Sequence, residues 1–359
     1  TKTKKAIHIK PDYVEAYNNM GNVLKSQRKV AEAIEAFKNA LELKSDYADA
    51  LHNMGQTFLA IKNFCEGFKL SAWRWKTKKF WGRFLTSAKP VWGGETNQRL
   101  LVWGEQGIGD EIMFASMIPE LCEAQSKIIV QCDKRLIPLF QRSFCDKISF
   151  YSNDKRVCED DYDYHIPMGS LPLFFRKSLG DFKIASHGFL RCDKKLAQNI
   201  RNQILLGRNK KLVGISWNTV STSAHAKARN FSLRDLVLAL DNERTQLVSL
   251  QYGDVSAEIE AVKKDLDIEI VQYSSVDNMR DIDGLASIIM ACDQVVTIDN
   301  CTVHLAGALG VKTDLLLPRT CDWRWGLDCD DSYWYESVKL HRQSKNANWN
   351  MRISQFTAQ

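Results

Sequence analysis

Residues 99–115 read RLLVWGEQGIGDEIMFA. A short apolar run stops at Gly104, a glycine-studded turn follows, and an amphipathic stretch takes over. This is the pattern of a strand feeding a helix. The same texture continues downstream through KIIVQC (127–132), a helical stretch near Arg135 to Arg142, ISFY (148–151) and DYDYHIP (161–167). DEIMFASMIPELCEA (110–124) reads as one helix. After a long polar helix around Ala197 to Arg208, a second series opens at KLVGISW (211–217). It runs through SLRDLVLAL, TQLVSLQ, AEIEAVKKDL, IEIV, GLASIIMA, QVVTID, TVHLAGALG and KTDLLLP, the last ending at Pro318. Strands alternating with helices predict βαβ units and parallel sheets. Two such series predict two Rossmann-like lobes with a cleft between them, ligands sitting at the carboxyl ends of the strands. A last helix is expected around Ser344 to Phe356, crossing back to the first lobe.

Upstream the texture is different. The N-terminal sequence matches itself at an offset of 34, pairing Ala6 with Ala40, Asp12 with Asp46, Tyr13 with Tyr47 and Ala16 with Ala50, then Asn19, Met20 and Gly21 with Asn53, Met54 and Gly55. That period is the tetratricopeptide helix–turn–helix. Tyr17, Met20, Gly21 and Leu24 belong to a first helix, and Ala33, Phe37 and Ala40 to a second. KAIHIK, ended by Pro11, reads as the second helix of a preceding repeat, so the sequence opens inside a repeat. In the last repeat the small and aromatic positions become Gly67, Ser71 and Arg74, the departure of a repeat that caps a stack or docks onto a neighbour. Such repeats present surfaces to polypeptides and seldom do chemistry. The connector from Trp73 to Glu95 carries Trp73, Trp75, Trp81 and Trp92, whose simplest use is packing. The resulting division is 1–75 repeats, 76–200 first lobe with connector, 201–343 second lobe and 344–359 crossover helix.

Composition agrees with a multi-domain globular chain: 359 residues, 45% hydrophobic, 26% charged, with 7 prolines and 19 glycines. A formal charge of +6 suits an anionic small ligand, and no basic stripe calls for nucleic acid. The ten cysteines are scattered singly, without Cys-x-x-Cys or zinc-finger spacing, which predicts reduced thiols and a cytoplasmic setting. No signal peptide and no apolar stretch near membrane-spanning length is read.

LLVWGEQGIGDEIMFASMIPEL (100–121), VGISW, VSLQYGD and above all VVTIDNCTVHLAGALG (295–310) resemble glycosyltransferase family 9, which includes the lipopolysaccharide heptosyltransferases. WRW (73–75), PVWGGE and DWRWGLD (322–328) look like its tetratricopeptide-fused members. More distantly the arrangement resembles protein O-GlcNAc transferases and flagellin glycosyltransferases. The resemblance implies an α/β GT-B fold behind an all-α repeat segment, and an inverting, metal-independent glycosyltransferase moving a hexosyl or heptosyl group from a nucleotide sugar. The acceptor it points to is a polypeptide held by the repeats; a glycan acceptor and a non-catalytic scaffold are the alternatives.

The residues allow a site to be drawn. Gly107 and Gly109 permit a tight turn, and the resemblance makes Asp110 the base that takes the acceptor's proton; the residue also suits a helix cap, and Glu105 and Glu111 are other carboxylates nearby. Where QVVTID gives way to TVHLAGALG, backbone N–H groups of residues 300 to 303 offer a diphosphate site at a helix start, with Asp299, Asn300, Cys301, Thr302 and His304 around it. Asn300 and Cys301 depart from the family's usual Asp-Thr-Ser/Gly, and His304 could equally be a packing residue. Ser216, on the KLVGISW strand, belongs to the expected donor set, and family relatives place a basic residue in the loop after that strand; Lys227 and Arg229 are the candidates, Arg229 preferred for its forked geometry. Gln251 is placed to read base or ribose or else to cap its loop, and Asp283 to make a sugar contact or a cap. Gly109 completes the donor set. No cofactor and no metal is expected, the Asp161-Tyr162-Asp163 string being weak evidence for one.

Overall fold

A computed structural model describes residues 2–78, 80, 82–182, 188–219, 228–240 and 243–343. The expected helix at Ser344 to Phe356, Trp81 and Lys227 lie outside these residues. The chain divides into two units: Thr1–Phe84 with Gly169–Lys183 and Thr320–Cys329, and Leu85–Met168 with Ile184–Arg319 and Asp330–Gln359.

The first unit is helical. It holds α1 (Lys2–Ile9), α2 (Val14–Ser26), α3 (Val30–Leu43), α4 (Ala48–Ala60) and α5 (Phe64–Ser71), the last running into a 3-10 turn over Ala72–Lys76. The repeat's small residues let helices touch. Ala33, Phe37, Ala40 and Ala50 are fully buried together, and a Cβ on Gly21 would lie 2.4 Å from Phe37 Cε1. The last repeat docks onto two stretches from later in the chain. Phe64 packs on Phe182 at 4.7 Å between centroids, Phe68 meets Trp323 edge-on at 5.7 Å, and buried Arg74 donates to Ser170 Oγ at 2.9 Å. Residues 320–329 also lie along α2: Thr320 Oγ1 donates to Ser26 O at 3.0 Å, and Arg28 donates to Leu327 O at 2.6 Å and pairs with Asp328.

The second unit carries two sheets whose described pairings are all parallel. The first contains β1 (Arg99–Trp103), β2 (Lys127–Cys132), β3 (Ile148–Ser152) and β4 (Tyr164–Pro167) in the order β3-β2-β1-β4. The central residue Leu101 stands opposite Ile129 on one side and His165 on the other. The second contains β5 (Lys211–Ser216), β6 (Thr245–Ser249), β7 (Ile270–Val271), β8 (Gln294–Ile298), β9 (Thr313–Leu317) and β10 (Val338–Arg342) in the order β10-β9-β8-β5-β6-β7. Strands β6, β8 and β9 are buried throughout, as parallel strands covered by helices must be.

Between strands run α6 (Ile108–Ala115), α7 (Ile118–Ala124) and α8 (Ile137–Ser143) in the first half, and short α9 (Pro172–Phe175) belongs to the helical unit. Then come α10 (Lys194–Leu205), α11 (Leu233–Leu240), α12 (Ser256–Leu266), α13 (Ile282–Ala291) and α14 (Cys301–Leu309). The order in which strands are added across the sheet reverses between β1 and β4 in one sheet and between β5 and β8 in the other, which makes two switch points where the connections at the carboxyl ends run to opposite sides and leave a crevice. The 104–110 turn leaves β1 at the first, and residues 299–304 leave β8 at the second.

Two elements differ from the sequence reading. DEIMFASMIPELCEA is two helices, because Pro119 in the first turn of α7 brings no N–H and its ring excludes the carbonyl four residues back. Strand β10 was not anticipated, although Val338 and Leu340 point inward and Lys339 outward in a period of two.

Gly21→Ala separates packing from propensity. Alanine in mid-helix ordinarily stabilises by about 1 kcal/mol over glycine; here the clash with the buried Phe37 ring is expected to reverse the sign, costing about 1–3 kcal/mol. Urea unfolding of both proteins checks this, and a more stable variant would contradict the packing described.

Glu111, buried in α6, ties the sheet's carboxyl edge together. Its Oε2 accepts from Asp133 N at 2.7 Å, just past β2, and its Oε1 accepts from Asn153 Nδ2 at 3.1 Å, just past β3. Burial raises its carboxyl from the ordinary 4.5 to about 7, against the pull of those two hydrogen bonds. The folded state thus keeps a proton that the unfolded chain sheds near 4.5. The associated stability is complete below that value and is lost as pH rises through about 7, at most on the order of 3 kcal/mol. Relative to Glu111→Gln, the melting temperature of the natural chain should therefore fall between about pH 5 and about pH 8. Parallel melting curves across that range would show that Glu111 does not titrate in this way.

Candidate functional site

The turn after β1 enters α6 with Gly107 as N-cap, and Asp110 Oδ2 accepts from Gly107 N at 3.3 Å. The helix starts at Ile108, so its polarised amides flank Asp110 rather than lie beyond it. At Gly109 the turn meets the opposite lobe. A Cβ there would stand 3.0 Å from His304 Cδ2 and 3.7 Å from Cys301 Cα. The first turn of α6 therefore lies directly against the first turn of α14, which a side chain at position 109 would hold off. Glu111 is committed to the sheet edge, and Glu105, also buried, accepts from Gln106 Nε2 at 2.9 Å.

Across this contact, Asn300 caps α14, its Oδ1 accepting from Thr302 N at 2.9 Å. Asn300 N is itself bound to Ile298 O at 2.8 Å, so two of the four N–H groups expected for a ligand serve the turn instead. Those of Cys301 and Val303 have no i−4 carbonyl within the helix. Thr302 is fully buried, and its Oγ1 has no hydrogen-bond partner among the described residues. Burial pushes the Cys301 thiol up to about 12, with Arg135 offsetting part of the effect, which favours the neutral thiol over the thiolate. His304 is buried; its Nδ1 lies 3.0 Å from Tyr335 Oη.

Ser216, Gln251 and Asn300 bind one another. Gln251 Oε1 accepts from Ser216 Oγ at 3.1 Å and from the backbone N–H groups of Trp217 and Asn218 at 3.0 and 2.9 Å. Its Nε2 donates to Asn218 O and Tyr252 O, and Asn300 Nδ2 donates to Ser216 Oγ at 2.9 Å. This buried web joins the carboxyl ends of β5, β6 and β8 and uses up the amide assigned to base or ribose.

Arg229 Nη1 donates to Asp299 O at 3.0 Å and to buried Asp299 Oδ2 at 3.1 Å, which sets the guanidinium beside the α14 terminus. Lys227 lies outside the described residues. Asp283 is apart from this group. Asp281 is the cap of α13, while Asp283 forms a forked pair with Arg142 of α8, at 2.8 Å for Nη2 to Oδ2. With Arg135 Nη1 donating to Met279 O at 2.7 Å, this pair ties the two lobes together. Asp163 likewise is spoken for: the Arg99 guanidinium beside it holds its carboxyl down at about 2. Among the described residues no group of three or more His, Cys, Asp or Glu is arranged to hold a metal ion.

Beside Gln251, at the carboxyl ends of β6 and β7, opens a cavity of about 520 Å³ lined by Ser249, Tyr273, Asp277, Asn278 and Met279. Sequence reasoning did not find Asn218, Arg142 or Tyr335. Each acts through a partner more than 30 residues away, at separations of 33, 141 and 31, so no local spacing marks it.

Residues 21–61 match the family model of the TPR repeat. Protein FlbA of Caulobacter vibrioides is 30% identical over 278 residues, 72% of this chain but 46% of that protein. The chain thus spans about half the length of this curated relative. Two solved structures share the α/β fold: a glycosyl transferase family 9 protein from Veillonella parvula (TM-score 0.50, 11% identity, 69% of this chain and 87% of that one) and an E. coli ADP-heptose lps heptosyltransferase II (TM-score 0.50, 14% identity, 71% and 93%). The chain therefore joins a TPR repeat to an α/β body of the GT-B fold, the fold of glycosyl transferase family 9.

Proposed function

We propose that this chain is a metal-independent, inverting glycosyltransferase that moves a sugar from a nucleotide donor to a hydroxyl, with a polypeptide bound by the repeats as acceptor. The observation that carries the reading is the seating of Gly109, the residue before Asp110, on the first turn of α14, at the switch points of two parallel sheets. A carboxylate and an anion-favouring helix start then flank one volume. In the reaction, Asp110 takes the proton of the acceptor hydroxyl. The acceptor oxygen bonds to the anomeric carbon on the face opposite the diphosphate, the bond from that carbon to the phosphate oxygen breaks, and configuration inverts. The departing diphosphate gathers negative charge at the N–H groups of α14, with His304, the Thr302 hydroxyl and Arg229 beside it. The cavity next to Gln251 has the size for the nucleoside, and heptosyl from ADP-heptose is a natural first donor to test.

For the acceptor, support comes from the repeat match and from a groove of about 550 Å³ lined by Met20, Leu24 and Ala36 with Lys29, Glu32 and Glu35 at its edges. Free thiols at all ten cysteines fit a reducing, cytoplasmic setting. No described helix is long and apolar enough to cross a membrane.

Calorimetry with ADP and UDP in the presence of a chelator is expected to show binding by at least one of them. Binding that required added manganese would overturn metal independence. Arg229→Ala is expected to weaken that binding about tenfold or more, the loss of a charge-assisted contact. Asp110→Asn should keep nucleotide affinity yet lower transfer by about 10²–10⁴-fold. Transfer by that variant at the natural rate would reduce Asp110 to a helix residue.

A further inference from the structure

His304 is held on two sides. Its Nδ1 faces Tyr335 Oη at 3.0 Å, and the two rings meet edge-on with centroids 5.9 Å apart and planes at 66°. The opposite edge, Cδ2, is the atom a side chain on Gly109 would strike. Nε2 neighbours Cδ2 in the imidazole, so the ring bridges from Tyr335 to the α6 turn that carries Asp110. Both residues are almost wholly buried, 5% exposed for His304 and 2% for Tyr335. Tyr335 is itself fixed by α14. Gly307, one turn past His304, leaves room for the phenol ring, and a Cβ there would lie 2.4 Å from Tyr335 Cγ. The Tyr335 backbone N–H donates to Ser332 Oγ at 3.2 Å.

We propose that Tyr335 is a positioning residue for His304: its phenol donates to Nδ1 and so sets the imidazole tautomer with the proton on Nε2. A neutral imidazole has one donor and one acceptor nitrogen, and whatever binds one decides what the other can do. A phenol is a better donor than acceptor and an unprotonated ring nitrogen a good acceptor, so O–H to Nδ1 is the favoured sense of this contact. The proton then sits on Nε2, next to the Cδ2 that abuts Gly109, with the ring already oriented before any ligand arrives. Removing the hydroxyl frees the ring to exchange tautomers and to present a bare nitrogen to an anion. That the Nε2 proton serves the donor diphosphate rests on the function proposed above; the tautomer itself does not.

Nitrogen NMR of the full chain with labelled histidine, His304 assigned by comparison with His304→Ala, reads the tautomer directly. The natural chain is expected to show bare Nδ1 and protonated Nε2, and Tyr335→Phe, which keeps the ring packing, to show a mixture. A proton on Nδ1 in the natural chain, or an unchanged tautomer in the variant, overturns the proposal. ADP affinity is the second readout. Tyr335→Phe should weaken it about three- to tenfold, and should add nothing in a His304→Ala background. Additive losses would make Tyr335 a merely structural residue and overturn its action through His304. A shifted tautomer with ADP affinity unchanged in both Tyr335→Phe and His304→Ala would uphold the tautomer assignment and remove His304 from the donor site.

Discussion

The α/β unit turns on one close approach: the backbone at Gly109 against the first turn of α14, with room for a hydrogen and little more. Each lobe alone offers an ordinary strand–turn–helix. Brought together, the two helix starts touch, and the charges proposed to act beside that contact, a carboxylate on one side and helix amides with Arg229 on the other, belong to different sheets. The forked Arg142–Asp283 pair and the Arg135 to Met279 contact hold the same two lobes from a second direction, so the approach does not rest on a single point.

Behind that contact, the side chains of Ser216, Gln251 and Asn300 satisfy one another and the backbone of Trp217, Asn218 and Thr302. Buried polar groups are stable only when bound. This web therefore does more than fill space: it fixes where β5 ends relative to α14, and so where the helix N–H groups point. Residues that looked like ligand contacts are in part the frame for them. What is left to the proposed site is shorter and more specific, namely Asp110, the α14 start, Thr302, His304 and Arg229.

Much of this was legible in the sequence because it is periodic. A 34-residue offset, apolar runs of strand length and helices between them depend on local order alone, and every described strand except β10 falls where such a run was read. The break at Pro119 carried a readable signal, as did the alternation of Val338, Lys339 and Leu340 in β10, masked by the aromatic run before it. Contact roles were less legible. Asp283 and Gln251 have the chemistry of ligand residues, and only their partners, 141 and 33 or more residues away, show that they tie the lobes and brace the loop. The grouping of residues 169–183 and 320–329 with the repeats is of the same kind, made by Phe182 and Trp323 against α5.

The central claim is that the first turn of α14, faced by Gly109 and Asp110, receives the diphosphate of a nucleotide-sugar donor. A crystal structure of the chain with a bound nucleoside diphosphate tests it most directly. The account predicts the diphosphate on the N–H groups of Cys301 and Val303, within hydrogen-bond reach of His304 Nε2, with the nucleoside beside Gln251. A diphosphate seated elsewhere, or held through a metal ion by Asp161 and Asp163 while the α14 terminus stays bare, would contradict it.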